Sequence, residues 1–216
     1  MHEKLNIYDI TGVLVPGTLV VAAIPLGFPV IIDAVAEPKF PDVFLLIVLT
    51  ALSIFMGHLI QAFASIIEPF LYKTWGGRPS EKALDHGLGD RYFPASSGAR
   101  IRAKLADVAE PNASTRSLFL IAMQRAESSD SPRVSTFNAL FAYHRALVVM
   151  SFFSLVIFVA SFHDGVAARL SWKQNTAICV LLIGLLVLFW HRAKQRGVYY
   201  VREVLLCAEQ NLLPAK

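Results

Sequence analysis

Four long apolar stretches dominate the sequence, and positive charges are distributed unequally among the segments that join them. The stretches are residues 10–32, 43–67, 147–162 and 176–190. Of the 20 Lys and Arg residues, 17 lie before the first stretch, between the second and third, or after the fourth. Only three lie in the two remaining connections. This pattern is typical of a chain that crosses a bilayer several times with a fixed orientation.

The four stretches are predicted to be transmembrane helices in an all-α fold. The hydrocarbon core is about 30 Å thick, and crossing it takes roughly 20 apolar residues. The first two stretches contain 23 and 25 residues, and the shorter third and fourth have uncharged neighbours that extend them. The composition, 55% hydrophobic with a mean hydropathy of +0.53, also favours a bilayer. The alternative is two spans and a buried helical pair.

The charge distribution predicts the threading. Positively charged segments stay on the cytoplasmic side, so both termini are expected there. We expect a transmembrane hairpin at 1–67, a cytoplasmic helical insertion at 68–145, a second hairpin at 146–190, and a cytoplasmic amphipathic tail at 191–216. The insertion carries eleven basic and eight acidic residues, a mixture unlike a nucleic-acid-binding stripe, so nucleic acid is not expected as a partner.

Helix signals divide the insertion. A turn-rich stretch runs from Trp75 through Gly98. Near its end, Ser97 is expected to cap a helix from about Ala99 to Ala109. A second helix is expected from Thr115 to about Glu127. A third is expected to open at Ser135 and to run unbroken into the third span. In the tail, apolar residues from Val198 to Leu212 recur at helical spacing.

The first span contains three prolines, Pro16, Pro25 and Pro29. Each removes a backbone hydrogen bond and bends a helix. Backbone disrupted in this way is tolerated inside a membrane when neighbouring helices or a wet cavity supply the missing partners. The prolines therefore favour packing of this segment inside a bundle or an oligomer, as a kinked helix or as a functional break.

A polar stripe in the second span is the main candidate site. His58, Gln61, Ser65 and Glu68 are separated by three, four and three residues, which places them on one helix face. One interpretation is an interhelical hydrogen-bond seam, helped by the small residues at 53 and 57. The other is a wet pathway for ions or protons, with His58 and Gln61 facing the axis of an oligomer and Glu68 favouring cations.

Arg145 enters the third span at the depth where Glu68 leaves the second. An ion pair between them would anchor the two helices. The alternative is that Arg145 reaches outward to a lipid phosphate.

No catalytic residue, metal site or cofactor is predicted, and we expect that the protein is not an enzyme. The sequence has no His-Glu-x-x-His, no Gly-x-Ser-x-Gly, no glycine loop for phosphate and no Cys/His cluster. The dense ionisable group Asp85, His86, Asp90 and Arg91 includes two intervening glycines and is expected to be a solvated turn.

Tyr8-Asp9-Ile10-Thr11-Gly12, followed by Pro16-Gly17, resembles the start of small four-helix bacterial membrane proteins that occur beside antiviral defence genes. The likeness covers about ten residues, with looser similarity at 137–145 and 196–203. It implies an effector or accessory subunit that oligomerises in the bacterial inner membrane and perturbs it when a cytoplasmic partner signals infection. The resemblance assigns no site residues.

Two functional hypotheses follow. The first is a homo-oligomeric channel or membrane-perturbing effector, for which substitutions at His58, Gln61 or Glu68 abolish activity. The second is a passive membrane anchor or scaffold that recruits a soluble cytoplasmic protein through the insertion. In that case surface changes at Arg100, Arg102 or Arg125 disrupt binding. Membrane lipid is a partner under both hypotheses.

Overall fold

A computed structural model of the chain describes residues 9–27, 41–129, 131–162 and 167–212, with side chains at 23–27 left out of the description. These residues are predominantly helical, and no β-strand occurs among them. The helices are α1 (Val15–Gly27), α2 (Asp42–Thr74), α3 (Pro79–Asp85), α4 (Ala95–Ala106), α5 (Thr115–Ser128), α6 (Pro132–Ala160) and α7 (Trp172–Leu212). A π-helical segment, Asp9–Leu14, leads into α1, and a 3₁₀ turn, Ala167–Arg169, precedes α7. The all-α prediction is confirmed.

Three helices, α2, α6 and α7, are long and apolar enough to cross a membrane. They correspond to the second, third and fourth predicted spans. The described part of the first predicted span forms a shorter apolar helical segment, Asp9–Ala22, and residues 28–32 of that span lie outside the described residues. Pro29 lies outside them too.

The chain divides into two compact units. The described residues of Met1–Ile67 and Ala142–Ala193 form unit 1, and those of Glu68–Phe141 and Lys194–Lys216 form unit 2.

Unit 1 leaves most of its apolar surface uncovered. Within an apolar window of 18 consecutive residues in each long helix, 17% of the residues are buried in α2, 33% in α6 and 6% in α7. A water-soluble protein rarely exposes an apolar surface of this extent. A small buried cluster, formed by Ile60, Ala64, Ala146 and Val149, joins α2 to α6. The exposed remainder has the character of membrane-spanning helices.

Unit 2 has an interior like that of a soluble helical domain. Phe93, Leu84, Ile101, Leu105 and Leu118 are among its most deeply buried side chains. Val204 and Leu205 of α7 belong to the same cluster. Ion pairs lie at its surface, where Glu209 accepts hydrogen bonds from Arg100 Nε (2.8 Å) and Lys104 Nζ (2.8 Å). The apolar face of the predicted tail therefore packs within unit 2.

Two helix boundaries differ from the sequence prediction. The helix expected at about Ala99–Ala109 spans Ala95–Ala106, with Pro94 rather than Ser97 at its N-cap position. Gly98 lies inside that helix, where its missing side chain lets the first turn approach the Ala83 carbonyl closely. The helix expected to open at Ser135 begins at Pro132, a favourable residue for the first helical position, and continues unbroken into the third span as expected.

The helix Pro79–Asp85 lies in the stretch that was expected to be turn-rich, so that expectation was wrong there. The other boundaries agree with or extend the sequence interpretation. The helix expected at Thr115 begins there, and Ser114 caps it by accepting a hydrogen bond from the Ser117 N–H (3.1 Å). The fourth span and the tail form one continuous helix, α7. It starts at Trp172 because Ser171 and Gln174 form a capping box, in which Gln174 Oε1 accepts from the Ser171 N–H at 2.9 Å.

Glu209 makes the stability of unit 2 depend on pH. The hydrogen bond from Arg100 and, to a smaller extent, the one from Lys104 lower the pKa of the Glu209 carboxyl. The unfolded carboxyl has a pKa of about 4.3, so the stabilisation is complete above that pH and is lost as the pH falls through the lower folded value. We expect Glu209→Gln to lower the melting temperature of unit 2 at pH 7. We also expect the melting temperature of this variant to fall less than that of the native protein as the pH is lowered.

Fluorescence of the buried Trp75, in a background with Trp172→Phe and Trp190→Phe, would follow unfolding of unit 2. Glu110→Gln, at an exposed glutamate, is the matched control and should leave the pH profile unchanged. An unaltered profile for Glu209→Gln would show that the Glu209 ion pairs contribute nothing.

Candidate functional site: a polar seam in unit 1

The candidate site begins at the π-helical segment Asp9–Leu14, just before Pro16. Proline has no N–H, so position 16 supplies no backbone donor to the turn that precedes it. The side chain of Gln61, from α2, donates to the Gly12 carbonyl through Nε2. A helix that proline disrupts is thus completed by a neighbouring helix, as the sequence argument requires for backbone in an apolar environment.

Gln61 joins a third segment to this contact. Its Nε2 also donates to the carbonyl of Ala142 in α6, at 3.3 Å. Gln61 is buried, with only 8% of its surface exposed. Two carbonyl acceptors fix the orientation of the amide, because the opposite orientation would direct Oε1 at both of them. Oε1 itself has no hydrogen-bond partner among the described residues.

Small residues allow these helices to cross closely. A methyl group on Gly17 would overlap the backbone of Ser53, and one on Gly57 would overlap the carbonyl of Val13. Ser53 and Gly57 are separated by one helical turn, the small-residue spacing that brings membrane helices together. The two small residues identified from the sequence therefore lie at the crossing, next to the Gln61 hydrogen bonds.

The other members of the predicted stripe have different surroundings. Ser65 is exposed, and its Oγ donates to the Gln61 carbonyl of its own helix at 3.0 Å. His58 is exposed, and no hydrogen bond joins it to another described residue. Glu68 is half-buried and is the first residue of unit 2. The predicted stripe is thus divided between two faces of α2, because Gln61 is buried whereas His58 and Ser65 lie on the exposed face.

The pairing of Arg145 with Glu68 stays a prediction. Both residues are half-buried, and each takes part in a polar or electrostatic interaction.

Sequence analysis missed a second buried amide in unit 1. Asn175 is 8% exposed, and its Nδ2 donates to the Ala167 carbonyl at 2.9 Å. It satisfies the backbone of the 3₁₀ turn before α7. The carbonyl partners of Gln61 were missed as well, although Pro16, four residues after Gly12, was a usable signal for one of them.

The ionisable group in the insertion forms a surface contact. The carboxylate of Asp85 accepts hydrogen bonds from Arg102 and from Thr115 Oγ1, the latter at 3.0 Å. His86, Asp90 and Arg91 are exposed. Among the described residues, no three His, Cys, Asp or Glu side chains are grouped so that they would hold a metal ion.

Gln61 therefore joins helices by hydrogen bonds to backbone carbonyls, and its Nε2 donor is already engaged within the chain. Comparison with protein-family models finds no match, and comparisons with curated proteins and with solved structures find none either.

The close crossing gives a direct test. Gly57→Ala places a methyl group against the Val13 carbonyl, and overpacking of this kind costs about 1–3 kcal/mol. Gly184→Ala is the matched control, because nothing lies within 4 Å of the position its methyl group would occupy. We expect Gly57→Ala to lower the unfolding midpoint in detergent and Gly184→Ala to maintain or raise it. Equal effects would contradict the close crossing.

Proposed function

We propose that the chain is a four-span protein of the bacterial inner membrane with both termini in the cytoplasm. The three long apolar helices support this placement, and the apolar segment Asp9–Ala22 supplies most of the described part of a fourth span. The predominance of Lys and Arg in alternate segments supports the orientation. In this arrangement unit 2 comprises the cytoplasmic insertion together with the tail.

We propose further that the protein is a membrane scaffold that presents unit 2 to a soluble cytoplasmic partner. The observation that carries this proposal is the interior of unit 2, where α3, α4, α5 and the end of α7 share one apolar cluster. A connection between two spans needs no such core, whereas a domain that offers a shaped surface does. The polar seam also supports the scaffold proposal, because the Nε2 group of Gln61 donates its hydrogen bonds to backbone carbonyls.

The partner surface is best sought away from the ion-paired arginines. Arg100 and Arg102 are engaged with Glu209 and Asp85, so they contribute to the structure of unit 2. Arg116 and Arg125 on α5 are exposed, and Leu120, with 57% of its surface exposed, lies between them in sequence. Arg116 lies one helical turn before Leu120, so the two form an exposed apolar and cationic pair suited to a protein contact, since Arg is enriched at interfaces.

A homo-oligomeric channel or membrane-perturbing effector is the second candidate. One observation favours it: His58 is exposed within a long apolar helix, where a polar side chain is expensive unless protein or water covers it. The resemblance at residues 8–17 points to the same class. In this candidate the trigger reaches the membrane through unit 2.

The proposed threading is tested by labelling two exposed alanines from outside the cell. In a background with Cys179→Ala and Cys207→Ser, we expect a membrane-impermeant maleimide to label Ala168→Cys in intact cells. Ala99→Cys should be labelled only after lysis. The reverse pattern, or labelling of both in intact cells, would contradict the orientation.

The two functions are separated by two assays on the full chain. A photo-reactive residue at position 120 should cross-link to a cytosolic protein in cells, and Arg116→Glu with Arg125→Glu should reduce this several-fold. His58→Leu should leave it unchanged. Purified protein in liposomes should show no ion flux. Flux that His58→Leu abolishes, without a cross-linked partner, would favour the channel instead.

A further inference from the structure

A second row of residues, distinct from the polar seam around Gln61, runs along α2 on the side opposite its intramolecular contacts. We call this row of exposed residues the exposed seam, or simply the seam. Its members are spaced by four, three, four and three residues, and all are exposed: Ala51, Phe55, His58, Ala62 and Ser65. This is the heptad spacing by which helices pack side by side. The buried residues of the same segment, Ser53, Gly57, Ile60 and Ala64, lie on the other face.

His58 is the polar group that this seam leaves unsatisfied. Thr50 and Ser65, also exposed on this span, each donate to a carbonyl four residues earlier, at 2.8 and 3.0 Å. His58 has no such bond to a described residue. It lies nine residues before the end of the apolar stretch, or about 14 Å along the helix. At that depth a short side chain does not reach water, and lipid tails offer no hydrogen bond.

We infer that a second copy of this chain packs on the seam, with His58 meeting His58 of the other copy. A two-fold axis brings each residue near that axis against its own equivalent, so the second copy places a histidine at the required depth. Neutral histidine has one donor and one acceptor nitrogen, and two of them form a hydrogen bond. Ala51 and Ala62, on either side, let the backbones approach.

A single polar residue in an otherwise apolar heptad seam also sets its register, because any sliding of the helices separates the two imidazoles. This inference rests on the proposed membrane placement of α2. It is compatible with the scaffold and with the channel, so it names a partner and leaves the function open.

The test is cysteine cross-linking in native membranes, again without Cys179 and Cys207. Ala51→Cys and Ala62→Cys, both with His58 intact, should form dimers of twice the chain mass. Leu49→Cys and Leu52→Cys are matched controls, since both leucines are exposed at the depth of Ala51 but lie off the seam. Their dimer yield should be several-fold lower.

Adding His58→Leu to Ala62→Cys should reduce dimer yield about three- to tenfold, as expected for one interhelical hydrogen bond, while His58→Gln retains most of it. Equal yields at all four positions, no dimers at any, or adducts of another mass would overturn the inference. The maleimide assay at Ala168→Cys and Ala99→Cys does not depend on the seam. It therefore distinguishes an incorrect dimer contact from an incorrect membrane placement.

Discussion

The architecture of unit 1 depends on satisfying the backbone carbonyls of the helical turn before Pro16, where proline supplies no N–H donor. In an aqueous loop, water would bond the Gly12 carbonyl and no partner would be needed. Inside an apolar bundle the partner must come from protein, and Gln61 provides it. That requirement places α2 beside the first helical segment, and the glycines at 17 and 57 make the approach possible. The same amide extends the contact to Ala142, so a single side chain ties together three segments.

The two faces of α2 then differ in kind. One is closed by backbone carbonyls, small residues and the apolar contact of Ile60 and Ala64 with α6. The other exposes apolar side chains and one histidine. In a bilayer the apolar residues of that second face are compatible with lipid, whereas the histidine is not. The helix thus carries the internal packing of the chain on one side and a specific requirement for a neighbour on the other.

Hydrophobicity predicted the long helices because a bilayer imposes length and apolarity on sequence directly. Helix ends were harder to predict: Gly98 is a residue type common in turns, yet it lies in a helix, where its missing side chain admits the Ala83 backbone. The site was partly predictable. Spacing identified Gln61 and its small neighbours, but the acceptors are main-chain carbonyls, which every residue possesses and no pattern marks. Which members of the stripe are buried also depends on packing, so the sequence did not distinguish His58 from Gln61.

The central claim is that Gln61 supplies a donor to the turn that Pro16 leaves one N–H short, and a double-mutant cycle measures it directly. Pro16→Ala restores an N–H that, in α-helical register, can donate to the Gly12 carbonyl. The account predicts that Gln61→Leu lowers the free energy of unfolding in detergent by about 1–2 kcal/mol in the native background and by clearly less alongside Pro16→Ala. Strictly additive effects of the two substitutions would contradict the account.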